Sequence, residues 1–140
     1  AVLGGASASE AAAYREYGRH LGLAFQLMDD WLDYEGSAQD LGKNTGDDLA
    51  EGKVTLPIIL ALKAAGAPDR RILEQAIKQP GSVAFEDVRC IAERYGGIET
   101  TKHRAAAEAS LAESALQDLP DSAYKSQMIR LSQFAVERSH

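Results

Sequence analysis

Three aspartates inside an otherwise apolar stretch, residues 25–33 (FQLMDDWLD), restrict this chain more than any other feature. At ~100° per residue, an α-helix points Asp29, Asp30 and Asp33 toward one side. The opposite side then carries apolar side chains, namely Leu21, Phe25, Met28, Trp31 and Leu32. Like charges four residues apart destabilise a bare helix by about 0.2–0.5 kcal/mol per pair. The spacing therefore predicts a helix whose carboxylate front holds a hard divalent cation and its phosphate ligands.

The negative charge of the chain is concentrated around these aspartates. Lys and Arg number 15 and Asp and Glu number 21, which gives a net charge of −6. Residues 29–51 hold eight of the acids and one base, Lys43, so the rest of the chain carries +1. Because a generally basic surface is missing, the composition argues against nucleic acid as a partner.

Other sequence features narrow the cellular setting. A single cysteine, Cys90, excludes an internal disulfide and a Cys-based zinc site, and it fits a cytoplasmic protein. No apolar run approaches the ~20 residues of a membrane span, and the N-terminus lacks the pattern of a signal peptide. Since the sequence begins with Ala1 and not with methionine, we expect a piece of a longer polypeptide.

Helix-favouring residues dominate and no alternating β-branched run occurs, so we predict an all-α fold of about six helices. Ser7 and Glu10 form a capping box before a first helix that runs from about Ser9 to Glu35. A second helix, from about Thr55 to Gly66, is apolar nearly all round and is expected to be buried. The four remaining helices are separated by Pro80-Gly81, Gly96-Gly97 and Pro120.

Residues 36–53 (GSAQDLGKNTGDDLAEGK) are predicted to form a long polar loop. Loops beyond ~12–15 residues are usually functional. This loop directly follows the carboxylates, and Lys43 and Lys53 each offer it an ammonium group that can act on phosphate oxygens. The loop and the carboxylate helix are therefore predicted to form one phosphate-binding site.

Four segments between residues 22 and 57 resemble a known family. They are FQLMDDWLDY (25–34), LGK (41–43), GDD (46–48) and EGKVTLP (51–57). Together they are similar to the second aspartate-rich motif and the following loop of the trans-isoprenyl diphosphate synthases, above all the long-chain octaprenyl type. On this resemblance, residues 1–140 are identified as the C-terminal part of a single polyprenyl synthase domain, that is, the C-terminal half of an isoprenoid-synthase helical bundle.

The resemblance implies a prenyltransferase that extends an allylic prenyl diphosphate by head-to-tail condensation with isopentenyl diphosphate. The implied product is a long-chain all-trans polyprenyl diphosphate of the kind used for quinone side chains. Mg²⁺ is the implied cofactor, since it stabilises the diphosphate leaving group. The implied assembly is a homodimer.

The resemblance also assigns the aspartates and lysines. Asp29, Asp30 and Asp33 are expected to bind Mg²⁺ and to be catalytic. Mg²⁺ takes one or two carboxylates and keeps several waters, so Asp29 is expected to coordinate the ion directly and the other two to bind its waters. Lys43 and Lys53 are expected to contact the allylic diphosphate, and Lys43 is counted among the catalytic residues.

Two further residues are assigned to substrate binding. Gln26, on the carboxylate face, is expected to orient a phosphate oxygen or the first atoms of the prenyl chain. Phe25 is expected to border the isoprenoid by resemblance, whereas its helical angle points to the apolar back. Gly18 and Gly22, further upstream on the carboxylate side, are expected to leave room for a growing hydrocarbon.

Simpler interpretations stay open for several of these residues. The aspartates are also compatible with a solvated helix face, the lysines with ordinary surface positions, and Asp47 and Asp48 with loop capping. Trp31 and Tyr34 are interpreted as packing residues, and Cys90 and the histidines as core or surface residues. A calcium loop, a P-loop and a di-iron bundle are excluded by spacing.

Much of the family pattern lies outside this sequence. The first aspartate-rich motif and the basic residues for isopentenyl diphosphate are missing, so the 140 residues alone are predicted to be inactive. A half-domain should also expose an apolar flank, which predicts dimerisation or poor solubility. Two alternatives remain: a non-catalytic regulatory subunit of a heteromeric prenyl synthase, and a terpene cyclase of the same fold.

Overall fold

A computed structural model of the chain describes residues 2–35 and 45–137. Every secondary-structure element in these two ranges is helical, which confirms the all-α prediction. After a 3₁₀ turn at Val2–Gly4 come seven α-helices: α1 (Ala8–Glu35), α2 (Asp47–Ala50), α3 (Leu56–Ala64), α4 (Ala67–Lys78), α5 (Phe85–Arg94), α6 (Gly97–Ala115) and α7 (Ala123–Glu137). None of the described helices combines the length and hydropathy needed to cross a membrane.

The six predicted helices are present, with local corrections. The capping box is confirmed: the Ser7 N–H donates to Glu10 Oε2 at 2.8 Å, and the Glu10 N–H donates to Ser7 Oγ at 3.3 Å. The short helix α2 lies inside the segment that was predicted to be a loop. Residues 36–44 of that segment, with Lys43, lie outside the described residues.

Two helix predictions were partly wrong. α6 ends at Ala115 and not just before Pro120, because tight turns such as Leu119 N–H to the Leu116 carbonyl replace the last helical turn. α3 is buried on one side only: Ile58 and Ala61 are fully buried, while Ile59 is 37 % exposed. An apolar sequence on all sides therefore did not ensure burial on all sides.

The chain divides into two compact units, Ala1–Met28 with Arg104–His140, and Asp29–His103. The first unit has a core cluster formed by Tyr17, Ala112, Leu116 and Leu119. His20 is paired there, with Nδ1 2.6 Å from Glu108 Oε2. Several large apolar side chains of this unit are exposed, namely Leu3, Leu111, Tyr124, Leu131 and Phe134.

Tyr17 joins two helices of the first unit by a hydrogen bond. Its hydroxyl donates to the Met128 carbonyl at 2.9 Å from a ring that is 7 % exposed. We expect Tyr17→Phe to lower the free energy of unfolding by about 0.5–1.5 kcal/mol, because one net hydrogen bond is lost. Urea denaturation measures this change, with Tyr14→Phe on the exposed side of α1 as the control. Equal effects of the two substitutions would contradict the prediction.

The second unit places α3 against α4 and α5. Its core contains Leu73 of α4, Val88 of α5 and Ile98 of α6. At the first residue of α6, a Cβ on Gly97 would lie only 2.3 Å from the Pro57 carbonyl oxygen. The start of α6 therefore packs directly on the backbone of α3, and α3 begins next to the carboxylates described below.

Candidate functional site

The C-terminal part of α1 faces the first turns of two later helices of the second unit. Asp30 is 8 % exposed, and its Oδ2 accepts the Leu56 N–H at 3.4 Å. Leu56 begins α3, whose N-cap residue Thr55 makes no capping bond with its own side chain. A carboxylate at a helix N-terminus is favoured because it meets unpaired N–H groups and the positive end of the helix dipole. Asp30 was predicted on the carboxylate side of the helix, and the structure buries that side chain against the start of α3.

Asp33 lies near the end of α1 and interacts with residues 46–48. Its main-chain carbonyl accepts the Gly46 N–H at 3.0 Å. Burial raises the pKa of its carboxyl group, and the nearby Asp48 carboxylate raises that pKa further. The main-chain N–H groups of Asp48, Gly46 and Asp47 act in the opposite direction and lower the pKa. Its Oδ2 is buried and lacks a hydrogen-bond partner among the described residues.

Lys53 is also held at this site by carboxylates. Its Nζ lies 2.7 Å from Glu51 Oε2 and 3.1 Å from Asp48 Oδ1. These two hydrogen bonds raise the pKa of the Lys53 ammonium group above its ordinary value. Because the lysine side chain is 58 % exposed, solvent screens both pairs and neither is a strong stabilising bond. The ammonium group is therefore free to exchange these partners for a phosphate at little cost.

The remaining predicted residues have different surroundings. Asp29, Phe25 and Gln26 are exposed on α1. Phe25 is 40 % exposed, although its helical angle pointed to the apolar side of the helix. Met28 and Trp31, from the same predicted back, are buried, and Lys102 Nζ lies 4.5 Å from the centre of the Trp31 ring. Lys43 lies outside the described residues.

The oxygen atoms at this site fit Mg²⁺, but only as part of a larger coordination sphere. The described residues contain no group of three or more His, Cys, Asp or Glu side chains arranged around a metal. What they offer is a buried, unpaired carboxylate oxygen on Asp33 beside a second carboxylate, Asp48. Mg²⁺ is commonly bound by one or two carboxylates with waters and substrate phosphates, so this donor set suits it.

For two residues near the carboxylates, the sequence was interpreted in terms of structure and not of function. Asp48, interpreted as a loop cap, lies beside Asp33 and pairs with Lys53. Tyr34, interpreted as packing, is 2 % exposed, and its hydroxyl has no hydrogen-bond partner within the described ranges. The GDD segment was a usable signal for Asp48. Nothing local to α1 marked Tyr34, because Thr55 and Phe85, which lie near it, are distant in the sequence.

Comparison with known proteins gives consistent matches. Residues 1–94 match the polyprenyl synthetase family. The octaprenyl diphosphate synthase of Haemophilus influenzae is 40 % identical over 141 residues, which is 100 % of this chain and 43 % of that protein. The chain therefore spans less than half the length of this curated relative.

Solved structures show the same partial coverage. A polyprenyl synthase from Caulobacter crescentus, complexed with calcium and isoprenyl diphosphate, is 38 % identical with a TM-score of 0.86, and the match covers 97 % of this chain and 42 % of that one. A geranylgeranyl pyrophosphate synthase from Corynebacterium glutamicum, complexed with isoprenyl diphosphate and magnesium, is 27 % identical with a TM-score of 0.83. That match covers 96 % of this chain and 39 % of the other.

Proposed function

Because this chain belongs to the polyprenyl synthetase family, we propose that it supplies the second carboxylate half of a prenyl-transfer site. The observation that carries the proposal is the buried Oδ2 of Asp33, which lies beside Asp48 and has no hydrogen-bond partner among the described residues. Two neighbouring carboxylates with one oxygen left without a partner are costly unless a cation joins them. The whole enzyme would condense an allylic prenyl diphosphate with isopentenyl diphosphate to give a long-chain polyprenyl diphosphate.

The roles of the residues follow from their positions. Asp33 and Asp48 would share the cation at the buried end of the site, and Asp29 would meet it from the exposed face of α1. When bound, Mg²⁺ would stabilise the diphosphate leaving group as the allylic C–O bond breaks. Lys53 would turn from Asp48 and Glu51 to a phosphate oxygen, as its exposed pairs allow. Asp30 would keep its bond to the start of α3 and so hold the site together.

The finer parts of the proposal rest on the family and on the sequence. We propose Mg²⁺ as the metal because the Corynebacterium relative is complexed with magnesium and the oxygen donors here suit it. A homodimer in the cytoplasm is proposed for the whole protein. Lys43, Gln26 and Phe25 are proposed to contact the substrate, as the motif resemblance implies. A product of octaprenyl length is proposed from the Haemophilus relative.

A calorimetric titration tests the half-site directly. We expect the 140-residue chain to bind an allylic diphosphate only when Mg²⁺ is present, because diphosphate and carboxylates must share the cation. The triple variant Asp29→Asn, Asp30→Asn, Asp33→Asn should lose at least about tenfold in affinity, as expected when charge-assisted contacts worth about 1.5–3 kcal/mol are removed.

The matched control removes the same number of charges at exposed positions elsewhere, by Asp87→Asn, Asp118→Asn and Glu137→Gln. This control variant should bind as the unmodified chain does. Binding of the allylic diphosphate without Mg²⁺, or unchanged binding by the triple aspartate variant, would contradict the half-site proposal. Absence of binding in the unmodified chain would favour the regulatory-subunit alternative.

A further inference from the structure

Tyr34 is a buried group that the proposed chemistry leaves unused. It lies four residues after Asp30 on α1, and its side chain is 2 % exposed. Its hydroxyl lies near enough to Asp33, Asp48 and Asp30 for each carboxylate to raise the pKa of the phenol, after the larger effect of burial. A buried tyrosine hydroxyl ordinarily has a hydrogen-bond partner. The Tyr34 hydroxyl has none among the described residues.

The ring of Tyr34 is linked to the start of the segment that carries Asp48 and Lys53. It packs against the Phe85 ring, with centroids 5.5 Å apart and planes tilted by 43°. Phe85 in turn covers Gly46, where an added Cβ would lie 2.5 Å from Phe85 Cδ2. Gly46 has a φ of +86°, which glycine adopts without strain, and its N–H bonds to the Asp33 carbonyl. Phe85 therefore packs between Tyr34, at the end of α1, and Gly46, at the start of residues 46–55.

The hydroxyl of Tyr34 lies near the other end of the same segment, at Thr55. The Thr55 hydroxyl lies close enough to lower the pKa of Tyr34, although the two oxygens do not form a hydrogen bond of standard geometry. Within the described part of the chain, neither hydroxyl has another partner. Thr55 is the N-cap of α3, and the next residue, Leu56, donates to Asp30. Two buried hydroxyls that lie close together and lack other partners can hydrogen-bond to each other after a small shift of either side chain.

We propose that Tyr34 is a positioning residue that fastens both ends of residues 46–55 to the carboxylate helix. Its ring packs on Phe85, which covers Gly46, and its hydroxyl would form with the Thr55 hydroxyl the hydrogen bond that both oxygens lack among the described residues. Between these two points lie Asp48, which must stand beside Asp33, and Lys53, which pairs with Asp48 at 3.1 Å. This inference rests on the proposed function, since it assigns to Tyr34 the placing of Asp48 and Lys53 for a metal–diphosphate ligand.

Two substitutions at Tyr34 separate the ring from the hydroxyl. Tyr34→Phe keeps the ring and should accelerate amide hydrogen exchange by about fivefold near Thr55 and Leu56 only, as the loss of one net hydrogen bond implies. Tyr34→Leu removes the ring and should accelerate exchange at Gly46–Asp48 as well. Tyr95→Phe is the matched control, because it removes a hydroxyl that accepts the Gly66 N–H at 3.2 Å elsewhere in the same unit. Its effect should be confined to the residues around Gly66.

The second measurement is the affinity of the same chains for inorganic diphosphate in the presence of Mg²⁺. Tyr34→Phe should weaken this affinity by about fivefold and Tyr95→Phe should leave it unchanged, since only the first hydroxyl helps to place Asp48 and Lys53. Unchanged exchange at residues 46–56 in both Tyr34 variants would overturn the inference. So would acceleration spread evenly over the second unit, because that pattern describes general destabilisation.

The two proposals fail in distinguishable ways. If the unmodified chain binds no diphosphate, the half-site proposal fails, and hydrogen exchange alone decides whether Tyr34 fastens the segment. If the chain binds diphosphate and Tyr34→Phe binds it equally well, the half-site stands and the positioning role of Tyr34 is wrong.

Discussion

Gly97→Ala is expected to lower the free energy of unfolding by about 3 kcal/mol, at the upper end of what overpacking usually costs. An added Cβ would lie 2.3 Å from the Pro57 carbonyl oxygen and 3.3 Å from the Ala92 carbonyl oxygen. Both neighbours are main-chain atoms, so no side chain can rotate to relieve the overlap. α6 must instead move away from α3, and contacts of the buried Ile98 and Thr101 are loosened with it. Urea denaturation followed by circular dichroism measures the change.

Two other helical glycines provide the control with the opposite sign. Gly18 and Gly22 lie on exposed turns of α1, and an added Cβ at either would meet no atom of the described residues within 4 Å. Alanine at each position should therefore raise stability by about 0.5–1 kcal/mol, because glycine loses more backbone freedom on folding. If Gly97→Ala were as harmless as Gly18→Ala, the close approach of α6 to α3 would be disproved.

The contrast among these glycines shows what sequence could not supply. Gly18 and Gly97 are indistinguishable by residue type, and only the packing of a distant helix makes one replaceable and the other not. The capping box at Ser7 and Glu10 was predictable because both partners lie within one turn of the same helix. Local interactions of this kind also explain why the helix order was predicted correctly.

The carboxylate motif shows the same division between local and distant interactions. Helical spacing predicted correctly that Met28 and Trp31 would be buried, and Asp29 is exposed, as a carboxylate on the other side of the helix can be. It did not predict that Asp30 would be buried, because its partner Leu56 lies 26 residues away. Phe25 lies at the edge of the predicted apolar side of the helix, next to Asp29. A small error in its predicted helical angle is therefore enough to change a buried side chain to an exposed one. The sequence of one helix therefore identifies which residues carry carboxylates, while contacts with distant residues determine how deeply each carboxylate is buried.

A loss of prenyl-transfer activity is expected when Asp33 is substituted in a full-length chimera. We propose a chimera that joins residues 1–140 to the N-terminal remainder of the Haemophilus octaprenyl diphosphate synthase, which is 40 % identical over the shared part. The chimera should elongate an allylic diphosphate with isopentenyl diphosphate, whereas residues 1–140 alone should not. Asp33→Asn in the chimera should lower kcat by about 100-fold or more, as expected when one group that stabilises developing charge is lost.

The control for this loss is Asp118→Asn, an exposed aspartate of the first unit, which should keep kcat within about twofold. An active chimera that tolerates both Asp33→Asn and Asp29→Asn would show that these carboxylates do not hold the catalytic metal, whereas a folded but inactive chimera would favour the regulatory-subunit alternative. Product analysis separates the remaining alternative, since a cyclase would ionise the same diphosphate yet release a cyclic hydrocarbon. Loss of elongation with Asp33→Asn alone, in a chimera that otherwise makes linear products, is the result that only the prenyltransferase proposal explains.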